Sequence, residues 1–329
     1  MATATVSERY RARRREKWES NDGEKAVEAL AVEFGKHIGA FLDFHPAQLE
    51  AMRAINERRV TVAKIATGGG KTLIFFGSLK LLGGIGLLLV PMNVIVRNHV
   101  RACPPGVRVV CLPDLCPLER SVLLRDIGAA KASDPPLAIV GHPGHFLADD
   151  MMAAFRVSVA RQAVSIVCVD EANLVVEWGH DFRPEFQQIG RLRDVLRLTP
   201  QGPLVLGPSL LVLEAACTQQ GLEAILTGLG VTDQEQEDMV VVSTSTDRPE
   251  LKPVVLRLCV PDPAAWHFKT VFFNQTVCAR VLLKCVSSLK KLAASHILNA
   301  PPHNFGRAYM QVQIPEAPNQ QQGASGPGS

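Results

Sequence analysis

The stretch "VTVAKIATGGGKT", residues 60–72, decides the fold. Its first half, 60–66, is apolar and β-branched, the composition of a short buried strand. Three consecutive glycines follow, and then Lys71 and Thr72 open "LIFFGSLKLL", which reads as a helix. Successive glycines let the backbone curl until several N–H groups point inward at a phosphate. The helix N-terminus adds partial positive charge at the same spot. Lys71 can reach terminal phosphates, and the Thr72 hydroxyl can ligate Mg²⁺. The G-x-x-x-x-G-K-[ST] pattern is incomplete, because Ile65 stands where its first glycine would be. Glycines alone would be explained by a turn before a helix. Gly-Lys-Thr between a strand and a helix points to nucleotide binding, with Thr67, Gly68, Gly69, Gly70, Lys71 and Thr72 as the cradle.

Outward from this loop, strand-length apolar runs recur at 85–91 ("IGLLLVP"), 136–141 ("PLAIVG"), 164–170 ("VSIVCVD") and 239–245 ("MVVVSTS"). Helical patterns or loops separate them. Continuous apolar strands alternating with helices imply an α/β domain, a parallel sheet with helices on both faces and ligands at the C-terminal strand ends. The segment 202–216 is ambiguous between two short strands and one strand with an insertion before it.

The chain has 329 residues, 47% hydrophobic and 20% charged, with a net charge of +3. No global field advertises nucleic acid, so such a partner must be met by a local patch. The basic cluster "RYRARRREK" within residues 1–25 reads as a solvated helix or arm. Eight scattered cysteines and no secretory signal suggest reduced thiols. Cys111 and Cys116 lack the partners that a zinc site requires. No apolar run reaches membrane-spanning length, so no membrane partner is expected. The expectation is a soluble chain of the cytosol or nucleus, with the nucleus favoured. Residues 301–329, rich in Pro, Gln, Gly and Ser without periodicity, read as a disordered tail.

A second stretch carries chemistry: "SIVCVDEANLVVEWGHDFRPEF", residues 165–186. Asp170 and Glu171 end an apolar strand about a hundred residues after the phosphate loop. In a parallel sheet that strand end can lie beside Lys71. Asp170 would then hold Mg²⁺ through water, with Glu171 positioning and deprotonating the attacking water. Asp-Glu after a strand is also what a solvated turn looks like; the phosphate loop favours the catalytic reading.

Together these elements resemble a superfamily-two helicase of the RecQ family. "DEANLVVEWGHDFRPEFQQIGRLR" resembles that family's DEAH box running into its aromatic-rich loop, W-G-H-D-F-R-P-E-[YF]. "FLDFHPAQLEAM" resembles the F-R-P-x-Q motif, "LLLVPMNVIVRNHV" motif Ia, "LAIVGHPGHFL" motif Ib, and "TDRPELK" (246–252) the D-R-P-N-L segment. The resemblance covers roughly residues 40–257 and implies a RecA-like P-loop NTPase domain over 26–257, binding ATP and Mg²⁺. It implies that Phe41 stacks on adenine and that Gln48 hydrogen-bonds its polar edge, with His45 beside them. It further implies that Trp178 and Phe182 offer faces for bases of single-stranded or partly duplex DNA. Stacking of that kind is worth on the order of 1–3 kcal/mol per base. Arg183 would meet phosphate or stack, and His180 would link the loop to the nucleotide.

The sequence also departs from the family. Asn173 replaces the last His of the DEAH box, and His45 replaces an Arg. Glu214 and Ala216 stand where the L-T-A-T-A-T segment has hydroxyls, which puts coupling of hydrolysis to movement in doubt. Residues 258–300 resemble only the start of a second RecA-like domain, the part that would supply arginine fingers. The expectation is an ATP-dependent helicase by ancestry whose arginines come from another chain if at all. The alternative is a non-motor module that binds ATP and nucleic acid.

Overall fold

The computed structural model describes residues 5–39, 42–66, 68–174, 184–199, 202–203, 206–215, 217–244, 251–254, 257–259, 271–274 and 309–311. Seven apolar runs pair side by side: β1 (Thr61–Lys64), β2 (Ile85–Leu89), β3 (Arg108–Cys111), β4 (Leu137–Gly141), β5 (Val164–Val169), β6 (Ser209–Glu214) and β7 (Val240–Ser243). Their spatial order is β3-β4-β2-β5-β6-β1-β7, and every pairing is parallel. β2, β4, β5 and β6 are buried along their whole length, as strands covered on both faces must be. The ambiguous 202–216 segment resolves into β6 and a two-residue strand, Gly202–Pro203, paired with Leu198–Thr199.

Side-chain alternation splits the core into two layers. Leu87 and Leu89 join Val167, Val169, Leu210 and Val212 on one face. Leu88 joins Ile166, Cys168, Leu211 and Leu213 on the other. The first face is covered by α6 (Pro117–Ala129), α7 (Asp149–Ser158), α8 (Ile189–Val195) and α9 (Gln219–Gly228), through residues such as Ile127, Phe155, Leu192 and Ile225. The second is covered by α2 (Asn21–Ile38), α3 (Pro46–Asn56), α4 (Lys71–Leu82) and α5 (Asn93–Arg101). Phe34, Met52, Phe75, Phe76, Leu79 and Val96 supply its packing. Each such fully buried side chain contributes about 1.5–3 kcal/mol relative to exposure.

The basic N-terminal stretch is a helix, α1 (Val6–Trp18), started by a Thr5–Glu8 capping box. Three of its arginines are engaged within the fold, while Arg9 and Arg13 are exposed. Arg15 makes a two-pronged contact with Glu57 at 3.1 and 3.0 Å, and Arg14 Nε donates to the Asn56 carbonyl at 3.1 Å. Arg11 pairs with Asp238.

The chain divides into two compact units, residues 1–246 and 247–329. In the second, Leu251–Val254 pairs antiparallel with Val271–Asn274, and Arg257–Cys259 with Tyr309–Gln311. The last strand falls within the stretch expected to be disordered. Its surroundings, "YMQVQI" at 309–314, alternate apolar and polar residues, the pattern a strand requires. Residues 275–300 of the stretch that resembles the start of a second RecA-like domain lie outside the described residues. No helix among the described residues is long and apolar enough to cross a membrane.

Candidate nucleotide site

β1 and β5 are not neighbours; β6 runs between them. The C-terminal ends of these three strands therefore form one polar edge. It holds the phosphate loop, the acidic turn and Glu214.

The loop leaves β1 with Ile65 N donating to the Glu214 carbonyl at 2.9 Å. Gly68 (φ 85°) and Gly70 (φ 79°) adopt the left-handed conformation that glycine reaches without strain. At Gly70 a Cβ would also stand 2.4 Å from the Gln48 amide nitrogen, so the Gln48 side chain would have to move off the loop. That amide donates to the carbonyls of Gly69 (3.1 Å) and Gly70 (3.3 Å), while its oxygen accepts from His45 N at 2.9 Å. Buried Gln48 thus ties the start of α3 to the glycine loop. His45 is exposed and caps α3, its Nδ1 accepting from Ala47 N at 3.2 Å. Phe41 and Thr67 lie outside the described residues.

Lys71 begins α4, and its Nζ is enclosed without a hydrogen-bond partner among the described residues. Its nearest opposite charge is Glu171 Oε1, at 3.6 Å. A buried ammonium left in this state is costly unless something else meets it. Glu171 itself holds a left-handed backbone (φ 49°), an unfavourable conformation for a non-glycine residue. Burial pushes its carboxyl above the ordinary value, with Asp170 and Glu214 adding to the rise and Lys71 opposing it. A carboxylate with raised proton affinity suits a general base.

Asp170 is buried, with Oδ1 accepting from Glu171 N at 3.1 Å. Its Oδ2 lies 2.9 Å from His99 Nε2, and His99 Nδ1 lies 3.3 Å from Thr72 Oγ1. One imidazole therefore connects the residue expected to ligate metal on the loop with the one expected on the acidic turn. Among the described residues no three His, Cys, Asp or Glu side chains could hold a metal alone. Thr72 and Asp170 are two oxygen donors beside a phosphate cradle, the set Mg²⁺ takes when phosphate and water complete its octahedron. The residues fit Mg·ATP.

Glu214 ends β6 fully buried. Its two oxygens accept from Asn173 N (2.8 Å) and Ala215 N (2.7 Å). The carboxylate that replaces the expected hydroxyl thus holds the acidic turn, while its backbone carbonyl holds the start of the loop.

Trp178, His180, Phe182 and Arg183 lie outside the described residues. The segment after them is anchored: Phe186 is buried against the His142 ring at 5.2 Å between centroids, and Glu185 lies 3.7 Å from His142 Nε2. His142 follows β4, so this anchor joins the end of the aromatic-rich stretch to the turn after that strand.

Sequence reasoning missed His99. The available signal was its spacing, three residues after buried Val96 on the inward stripe of α5.

This fold and edge define a phosphate-loop α/β nucleotide-binding domain with a paired acidic turn. The DEAD/DEAH box helicase family matches residues 45–209, half of the chain, and the chain belongs to that family. Its curated relatives are RecQ-family helicases. It is 26% identical over 261 residues to the bifunctional 3'-5' exonuclease/ATP-dependent helicase WRN of Mus musculus, covering 74% of this chain and 16% of that protein. It is 26% identical over 216 residues to the probable ATP-dependent DNA helicase RecS of Bacillus subtilis, covering 64% and 38%. It is 32% identical over 136 residues to the ATP-dependent DNA helicase Q5 of Mus musculus, covering 41% and 14%. The chain therefore spans well under half the length of these relatives.

Proposed function

We propose that this chain binds Mg·ATP on the β1–α4 loop and hydrolyses it in step with binding single-stranded or partly duplex DNA, as a RecQ-type helicase does. The observation that carries the reading is the Lys71 ammonium. It is buried at a helix start, without a hydrogen bond among the described residues, and aimed at the glutamate of the acidic turn.

The glycine loop supplies inward N–H groups for the phosphates, and Lys71 Nζ leaves Glu171 to meet the terminal phosphate oxygens. Thr72 Oγ1 and Asp170 would hold Mg²⁺, which would supply neutralisation of the phosphate charge. Glu171, relieved of Lys71, orients the attacking water and takes its proton on a side-chain oxygen. Phe41 and His45 would border adenine, with Gln48 setting the loop position. Trp178, His180, Phe182 and Arg183 would meet the DNA strand. The reading favours the nucleus over the cytoplasm and calls for arginine fingers from a second motor domain or another chain. Arginine fingers are worth about a thousandfold or more in rate.

ATP turnover with and without single-stranded DNA, beside a Glu171→Gln control, tests this. Turnover that rises with DNA and vanishes in the control is the expected result. Nucleotide binding without turnover under either condition would replace the motor reading with a non-motor binding module.

A further inference from the structure

The proposed site assigns the metal to Thr72 and Asp170, yet neither residue explains its own orientation. A hydroxyl that ligates a cation must turn a lone pair toward it and send its proton elsewhere. A carboxylate that does so must be kept from rotating. His99 meets both requirements from α5. Its ring is 7% exposed, and each nitrogen faces one of the two residues.

The partners fix the tautomer. A carboxylate only accepts, so Nε2 carries hydrogen and donates to Asp170 Oδ2 at 2.9 Å. Nδ1 faces the Thr72 hydroxyl at 3.3 Å, close enough to fix how that hydroxyl turns. A hydroxyl oriented by the imidazole presents its free lone pairs of Oγ1 in one direction. Asp170 is held from two sides, by His99 at Oδ2 and by Glu171 N at Oδ1. No other side chain among the described residues hydrogen-bonds both.

Resting on the Mg·ATP reading above, we infer that His99 is the positioning residue for the metal. It sets the Thr72 hydroxyl and the Asp170 carboxylate in the orientation that receives Mg²⁺, without contacting the nucleotide. Partners of metal ligands that act in this way typically change metal affinity by about 10- to 100-fold when removed. The inference also makes α5 part of the metal site, although its sequence offers no ligand of its own to the ion.

The test is binding of a fluorescent non-hydrolysable ATP analogue, titrated with MgCl₂ and in parallel in EDTA, for the wild-type chain, His99→Leu and His99→Gln. His99→Leu should weaken binding in Mg²⁺ by about tenfold or more and leave binding in EDTA unchanged. His99→Gln, whose amide can donate to Asp170 and accept from Thr72, should recover most of that loss. If the leucine variant fails to fold, His99→Asn takes its place, being too short to span both partners, with the same expected loss. A wild-type Mg²⁺ dependence in the leucine or asparagine variant overturns the inference. An equal loss in Mg²⁺ and EDTA does so too, since it marks a role in packing alone. Wild-type protein that binds no nucleotide in either condition overturns the Mg·ATP reading itself, and this inference with it.

Discussion

Two acidic side chains of this domain keep opposite company. Glu57, just after α3, is buried among Arg15, Arg53 and Arg59, with Arg15 gripping it through two hydrogen bonds. Burial raises its pKa, but the Arg15 hydrogen bonds and the three guanidinium charges bring it below the ordinary value. Glu171, at the other cluster, faces one ammonium at 3.6 Å and lies near Asp170 and Glu214. There burial wins and the pKa rises. Both clusters remove charge from water; the first surrounds one carboxylate with three guanidiniums, the second sets one ammonium against a carboxylate with two further acidic side chains nearby. A group of charges that fastens one helix to another is built around attraction between its own members. A group that receives a polyanion must keep its cation available, and Lys71 is available.

The comparison breaks most visibly at Lys71. Lys71→Ala should lower ATP turnover by about 100- to 1,000-fold, as loss of a transition-state charge contact does. The same change should leave the melting temperature level or higher, because it removes a buried ammonium without a hydrogen bond among the described residues. A melting temperature several degrees lower would make Lys71 a structural residue like those around Glu57.

Glu57→Ala should do the reverse. It removes both Arg15 hydrogen bonds and should cost about 2 kcal/mol in denaturant unfolding, the arginines being partly exposed and able to regain water. Turnover per folded molecule should not change. A fall in turnover would mean that α1 and α3 reach the nucleotide edge, which Gln48 on α3 makes a concrete possibility to measure.

Glu214 tests the middle ground, a buried carboxylate that accepts from two backbone N–H groups. Glu214→Ala should cost about 1–3 kcal/mol by orphaning the N–H groups of Asn173 and Ala215, and turnover should fall as the acidic turn loosens. Glu214→Gln keeps an accepting oxygen and should do less on both counts. Equal effects would assign the role to charge and not to these hydrogen bonds.

Much of this edge was legible in the sequence, and for identifiable reasons. The glycine run, Lys71, Thr72 and the Asp-Glu pair declare themselves because phosphate and metal chemistry demand those residue types at those places. The parallel sheet followed from strands apolar on both faces. What could not be read was which side chain holds which other. Gln48 reaching the glycine carbonyls depends on how α3 packs against the loop. Glu214 could be read as a lost hydroxyl, but its hold on Asn173 requires β6 to run between β1 and β5, and strand order is not written in any single motif. His99 falls within the stretch similar to motif Ia, but nothing there marks it as the partner of Thr72 and Asp170. The N-terminal run is a helix with Arg9 and Arg13 exposed, but that Arg11, Arg14 and Arg15 meet Asp238, Asn56 and Glu57 depends on what the fold brings beneath them.

The smallest expected effect is one of acidity. Because the folded pKa of Glu57 is depressed, its contribution is present above the ordinary glutamate value of 4.5 and is lost as pH falls through the lower folded value. The wild-type stability profile should therefore drop below about pH 4.5 more steeply than that of Glu57→Gln. Parallel profiles would remove Glu57 from the acid response.

The most direct measurement is thermal unfolding of the wild-type chain and of Lys71→Ala with and without Mg·ATP. A ligand that binds the folded state alone adds about 2.7 kcal/mol at a hundred times its Kd. The account expects a clear rise in the wild-type melting temperature and none in Lys71→Ala. A wild-type chain that melts at the same temperature with saturating Mg·ATP would contradict it.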